Sequence, residues 1–120
     1  MRHSLRVLCV TAICGLAFTL PRYALAHAML VESSPRAHAV IQGAETAIEL
    51  KYNSRVDATR STLVLVSPDG KATPLPASQS GPGTLTAKAQ QLTKGSYVLR
   101  WQVLSSDGHI SRGEIPFAVK

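Results

Sequence analysis

The sequence predicts an all-β fold: an immunoglobulin-like Greek-key β-sandwich or barrel of about seven strands with no disulfide. Three observations carry this. Apolar residues recur at every second position in several short segments, the period of half-buried strands. Turn residues separate those segments at short intervals, and no window of about 11 residues or more shows a helical apolar stripe. Finally, Leu92-Thr93-Lys94-Gly95-Ser96-Tyr97 sets a tyrosine two residues after a glycine at the entry of an apolar strand. That is the spacing of a tyrosine corner, in which the phenol hydroxyl binds backbone where the chain crosses between sheets.

Ala28 to Val31 is a short apolar run ahead of Pro35 and reads as the opening strand. Arg36 to Gln42 has room for one short turn. Ile48, Leu50 and Tyr52 then alternate with Glu49 and Lys51, so one face is buried and the other wet. Thr62 to Ser67 (TLVLVS) is rich in β-branched residues and ends on the turn signal Pro68-Asp69-Gly70. Pro74 to Gly83 is rich in proline, glycine and serine and reads as a long surface loop. Leu85 and Ala87 alternate with Thr84, Thr86 and Lys88. Tyr97, Leu99, Trp101 and Val103 share one face of a long strand, with Trp101 as the expected core plug. Ile115, Phe117 and Val119 share one face of the last strand.

The chain has 120 residues with 13 Lys+Arg against 7 Asp+Glu, a net charge of +6, and its length allows a single domain. The first 26 residues have a different character. Met1 to Arg6 hold two arginines and a histidine, and Val7 to Leu20 is an uncharged run of 14 residues. Ala24-Leu25-Ala26 then supplies small residues at both recognition positions of an A-x-A cleavage site. This is the layout of a secretory signal peptide covering 1–26, with 27–120 as the exported domain. The run is shorter than the roughly 20 apolar residues of a membrane span; the alternative is an N-terminal anchor.

Cleavage after Ala26 leaves 94 of the 120 residues and removes Arg2, Arg6 and Arg22 but no acidic residue, so the charge falls to +3. Both cysteines, Cys9 and Cys14, leave with the leader, so the exported domain has neither a disulfide nor a thiolate metal site. Its basic residues are scattered singly and few aromatics are available to stack bases, which argues against nucleic acid. No cysteine nucleophile, G-x-S-x-G or clustered carboxylate pair is present, so a hydrolase finds no machinery and no enzyme is expected.

The histidines of residues 27–120 are His27, His38 and His109. His27 becomes the first residue once Ala26 is removed. It then offers two nitrogens, its α-amine and its imidazole Nδ1, which can close a six-membered chelate ring on one metal. An α-amine ionises at about 7.7–8.0, far below lysine, so a metal can displace its proton near neutral pH. Such donors in a square plane suit Cu(II). Alternatively, a histidine simply happens to follow the cleavage site. Asp107 and His109 lie in Ser105-Ser106-Asp107-Gly108-His109. In an extended segment they project to the same side, and Gly108 lets the backbone bend between them. Asp-Gly is also a common turn pair, so Asp107 either serves a metal or simply makes an Asx-turn. An amine, two imidazoles and one carboxylate form an N3O set without sulfur, a Cu(II) set and a poor one for Cu(I).

At these residues the chain resembles the CopC family of copper-resistance proteins. The resemblance begins with His27-Ala28-Met29-Leu30 and Glu32-Ser33-Ser34-Pro35. It continues through Ile48-Glu49-Leu50 and Leu92 to Tyr97. It is sharpest in Trp101-Gln102-Val103-Leu104-Ser105-Ser106-Asp107-Gly108-His109, and it ends with Gly113 and Ile115 to Val119. It implies a periplasmic Greek-key β-sandwich binding one Cu(II) per chain. The ligands it implies are His27, through amine and ring, with Asp107 and His109. It also implies a role in copper homeostasis, by sequestration or by delivery to a CopD-type inner-membrane copper transporter. The expected state is a monomer.

Three features depart from the family pattern. Some members carry a methionine-rich Cu(I) stretch, whereas the exported domain has only Met29. Many have a glutamate after the second strand, where this chain has Ser54 in Tyr52-Asn53-Ser54. His38 stands where the family usually has glycine and is either a surface-loop residue or an auxiliary ligand. Two further readings compete with the carrier: a copper-dependent redox enzyme of the histidine-brace type, and a metal-free immunoglobulin-like interaction module. The former needs a broad flat face and an open copper position. Four aromatics in the exported domain, at least three of them assigned to the core, leave little for such a face.

Overall fold

Two sheets packed face to face make up the computed structural model, which describes residues 27–120; the leader expected at 1–26 lies outside the described residues. The strands are β1 (Leu30–Ser34), β2 (Ala39–Ile41), β3 (Thr46–Tyr52), β4 (Val56–Val66), β5 (Ala72–Leu75), β6 (Ser78–Gly81), β7 (Thr84–Ala89), β8 (Gly95–Ser105) and β9 (Ile110–Val119). One sheet runs β1-β3-β7-β6 and the other β2-β9-β8-β4-β5. All pairings are antiparallel except that of β2 with β9, which is parallel. The all-β, two-sheet expectation holds, and no helix occurs among the described residues.

The period-two pattern puts alternate residues into the space between the sheets. Ile48 and Leu50 from β3 and Leu85 from β7 face Leu63 from β4 and Leu99 and Val103 from β8, each at most 1% exposed. Ile115, Phe117 and Val119 complete the layer from β9. Burying a side chain of this kind contributes about 1.5–3 kcal/mol, and it also locks register. A one-residue slip would turn the whole apolar set outward.

Three strands were not legible in the sequence. Residues Ala39–Ile41, expected as part of a turn, form β2, and the expected loop from Pro74 to Gly83 contains the end of β5 and all of β6. All three are edge strands. An edge strand pairs on one side only, so it needs little apolar alternation and tolerates proline. Pro74 sits in β5 opposite Val64, and β6 is the polar stretch SQSG. The opening strand starts at Leu30 and runs on to Ser34, beyond the expected Ala28–Val31.

Trp101 also differs from expectation: it is only partly buried. Its ring lies over Gly113, its partner across β8 and β9, and meets Tyr52 edge-on at 5.3 Å. The indole fills the space that Gly113 leaves, while the leucines form the dry centre. Tyr52 is buried, which pushes its phenol pKa up, and its hydroxyl has no partner among the described residues.

The tyrosine corner is present. Thr93 N–H donates to Tyr97 Oη at 2.9 Å, and Tyr97 stacks on Phe117 at 5.5 Å. Tyr97→Phe removes the acceptor while keeping the ring. Urea unfolding should register a loss of about 1 kcal/mol with an unchanged slope; a stability equal to the unsubstituted protein would show that the corner contributes nothing.

Three segments meet at one end of the sandwich. Val56 pairs with Ser105, and Ser106 N–H donates to the Arg55 carbonyl at 3.1 Å, which joins the β3–β4 connection to the β8–β9 turn. Leu30 pairs with Tyr52, so β1 brings the residues before it to the same end.

Candidate metal centre

The β8–β9 hairpin turns through Ser106, Asp107 and Gly108. Gly108 has φ +87°, a left-handed conformation that a side chain would strain. Ser105 N–H donates to the His109 carbonyl at 2.9 Å, and Gly108 N–H donates to the Ser105 carbonyl at 3.0 Å. These bonds close the turn and put Asp107 and His109 on its rim.

Asp107 is held by three groups. The Ser105 hydroxyl, on a residue 3% exposed, contacts its Oδ1 and also lies 3.0 Å from the His109 carbonyl oxygen. His109 N–H donates to the same Oδ1 at 3.2 Å. Oδ2 lies 2.8 Å from His109 Nδ1. The Asx-turn reading and the metal reading are therefore compatible, because the Asx-turn aims the carboxylate at the ring.

The Ser105 hydroxyl above all, then the His109 ring, holds the Asp107 carboxyl down to about 2, against an ordinary 3.8. A depressed carboxylate pKa stabilises the fold above its ordinary range, and that contribution is lost as pH falls towards about 2. Asp107 is therefore an anion at neutral pH. The carboxylate accepts from Nδ1–H, which leaves Nε2 as the ring nitrogen that Asp107 does not engage.

His27 reaches the same place. Its ring lies 5.0 Å from the His109 ring, centroid to centroid, with the planes 64° apart. Both residues are exposed. Among the described residues no three His, Cys, Asp or Glu side chains converge into a metal cluster. Side chains alone thus make a carboxylate–imidazole pair with a second imidazole beside it. In the 120-residue chain the His27 nitrogen is a peptide amide joined to Ala26. An amine in its place would complete a donor set that suits copper.

His38 is elsewhere. Its N–H donates to the Pro116 carbonyl at 2.6 Å, and the next residue, Ala39, pairs with Phe117 near the far end of β9. His109 immediately precedes the near end, so the length of β9 between them is roughly 23 Å. His38 is a surface-loop residue with φ +66° and cannot join a centre at His109. The position where the resemblance led one to look for glutamate holds Ser54, whose hydroxyl is buried without a partner among the described residues. Sequence reasoning missed Ser105 as the group that fixes Asp107. The signal was available in Ser105-Ser106-Asp107-Gly108, because serine and aspartate side chains bond locally at the kind of turn an Asp-Gly pair marks.

The chain is similar to known proteins over most of its described length. A family model described as the CopC domain matches residues 30–120. The structure of CopC from Methylosinus trichosporium OB3b superposes with a TM-score of 0.73 at 33% identity, covering 78% of this chain and 94% of that one. Protein YobA of Escherichia coli (strain K12) is 32% identical over 99 residues, 79% of this chain and 80% of that protein. Copper resistance protein C of Xanthomonas campestris pv. juglandis is 31% identical over 111 residues, 81% of this chain and 83% of that protein.

Proposed function

Since the chain belongs to the CopC family, we propose that it is a periplasmic Cu(II)-binding protein of copper homeostasis and resistance, which sequesters copper or delivers it to a membrane copper transporter. The observation that carries the proposal is the meeting of the His27 and His109 rings at 5.0 Å, with the Asp107 carboxylate 2.8 Å from His109 Nδ1. His27 would bind through its freed α-amine and ring, His109 through Nε2. Asp107 would bind by exchanging its hydrogen bond to Nδ1 for the metal, because an oxygen held on Nδ1 lies on the other side of the ring from Nε2. Nitrogen and carboxylate donors without sulfur favour Cu(II), and Met29 alone is too little thioether for a Cu(I) site.

The protein is a carrier in this reading. Copper is cargo, and nothing in the donor set is arranged to transform a second substrate. Both rings and the carboxylate are exposed at one tip, open to a receiving protein. The family resemblance points to a CopD-type inner-membrane transporter as that receiver, with the carrier acting as a monomer. Export through the 1–26 leader supplies the location and the free amine together.

Titration of the protein beginning at His27 should give one tightly held Cu(II) per chain and weak Cu(I) binding in competition assays. His27→Ala, His109→Ala and Asp107→Ala should each lower Cu(II) affinity by at least about tenfold, the least that loss of even an outer partner usually costs. His38→Ala should leave it unchanged. No Cu(II) binding, or equal losses at His38 and His109, would overturn the assignment.

A further inference from the structure

Ligand affinity at a chain terminus depends on how well the terminus is held, because a free end must lose its conformational freedom when it binds. Here one residue holds the segment just behind His27, once through its side chain and once through its backbone. Met29 N–H donates to Asn53 Oδ1 at 2.8 Å, and Asn53 N–H donates to the Met29 carbonyl at 3.0 Å. Asn53 thus grips both backbone polar groups of Met29 from just beyond the end of β3. Ala28, between Met29 and His27, is 2% exposed, its methyl set in the core. His27 is then the first residue outside a fixed dipeptide, on a leash of roughly 3.8 Å from the Ala28 Cα to its own.

The register makes this grip necessary. The β1–β3 ladder shifts between Leu30 and Glu32, with Leu30 opposite Tyr52 and Glu32 opposite Lys51, so Val31 is the extra residue of a bulge. Both Val31 and Glu32 are consequently exposed in succession. Bulges re-aim the side chains that precede them, and this one lies four residues from His27. Beyond it, ordinary β1–β3 pairing would be weak, since only the Leu30–Tyr52 pair remains before β3 ends. The Asn53 side chain supplies the acceptor that a continuing strand would have provided.

We propose that Asn53 is a positioning residue that sets the register of the N-terminal tripeptide and so presents the His27 amine and ring to His109. It touches no metal and acts only through Met29. The inference rests on the copper reading above.

The test is a two-by-two comparison of Cu(II) affinity. It uses the exported protein beginning at His27 and the same protein with one methionine ahead of His27, each with Asn53 and with Asn53→Ala. In the His27-terminated protein, Asn53→Ala should reduce affinity about 10- to 100-fold, as loss of an outer-shell partner typically does. In the methionine-extended protein the chelate is already lost, so the substitution should change nothing further. Hydrogen exchange on the apo-protein gives a readout without copper: the Met29 amide should be protected with Asn53 and exchange freely with Asn53→Ala. Equal affinities in the His27-terminated pair, equal losses in both backgrounds, or an unprotected Met29 amide in the unsubstituted protein would each overturn the positioning role. Absence of Cu(II) binding by the unsubstituted His27-terminated protein is a different failure: it would overturn the copper reading and this inference with it.

Discussion

A protein that keeps one extra residue ahead of His27 is expected to bind Cu(II) weaker by about two orders of magnitude or more than the same protein beginning at His27. The expectation follows from the nitrogen. In the extended chain the His27 nitrogen is an amide, which neither carries a free lone pair nor loses its proton to a metal readily near neutral pH, whereas an α-amine ionises at about 7.7–8.0. The new terminal amine lies one residue further from the ring and cannot close the same six-membered chelate. The remaining donors are the two rings and Asp107, and among the described residues these side chains do not form a three-donor cluster unaided. Folding should be untouched, because Leu50, Leu65, Leu99 and Phe117 form the core and His27 is exposed. The visible Cu(II) band should shift as one nitrogen leaves the coordination plane. Mass spectrometry of the exported protein should find His27 at its N-terminus, and the uncleaved precursor should share the defect, so that loading follows export. Equal affinity and identical spectra for extended and trimmed forms would remove the amine from the site.

The parts of this molecule that were legible in its sequence are those governed by period and by spacing. Ile48, Leu50 and Tyr52 announced a strand with one buried and one wet face, because one face of β3 packs against the opposite sheet and alternation satisfies both sides. Asp107-Gly108-His109 announced a presenting turn because only glycine suits φ +87° there. What stayed hidden depends on partners distant in sequence. Edge strands β2, β5 and β6 are recruited by neighbours that already exist, so their own residues need not carry the pattern. Asn53 reads as an ordinary strand-end polar residue, and its role emerges only when Met29, 24 positions away, arrives beside it. Trp101 was assigned to the core by size, but its depth is set by Gly113 on the next strand.

That pairing carries the largest expected effect on stability. A Cβ added at Gly113 would lie 2.3 Å from Trp101 Cζ2, 2.5 Å from Cε2 and 2.9 Å from Nε1, far inside van der Waals contact. These are atoms of a rigid bicyclic ring, so they cannot yield by rotating a flexible end. The indole would have to leave its place against Tyr52, or β9 would have to separate from β8, where Trp101 and Gly113 are direct partners. Overpacking of this kind costs about 1–3 kcal/mol, and displacing a half-buried indole puts Gly113→Ala at the upper end of that range. In a domain of this size each kcal/mol moves the midpoint by about 4–8 °C, so a fall of about 10–20 °C in Tm is expected. Trp101→Leu should cost stability by itself but relieve the clash, so that adding Gly113→Ala to it costs much less than in the parent. The difference is the coupling energy of the pair. The β8–β9 turn lies beyond this contact, so folded Gly113→Ala protein should still bind Cu(II). Calorimetry of the four proteins decides the matter: a Gly113→Ala midpoint within about 2 °C of the parent, or equal losses with and without the indole, would mean that Trp101 does not depend on the missing side chain.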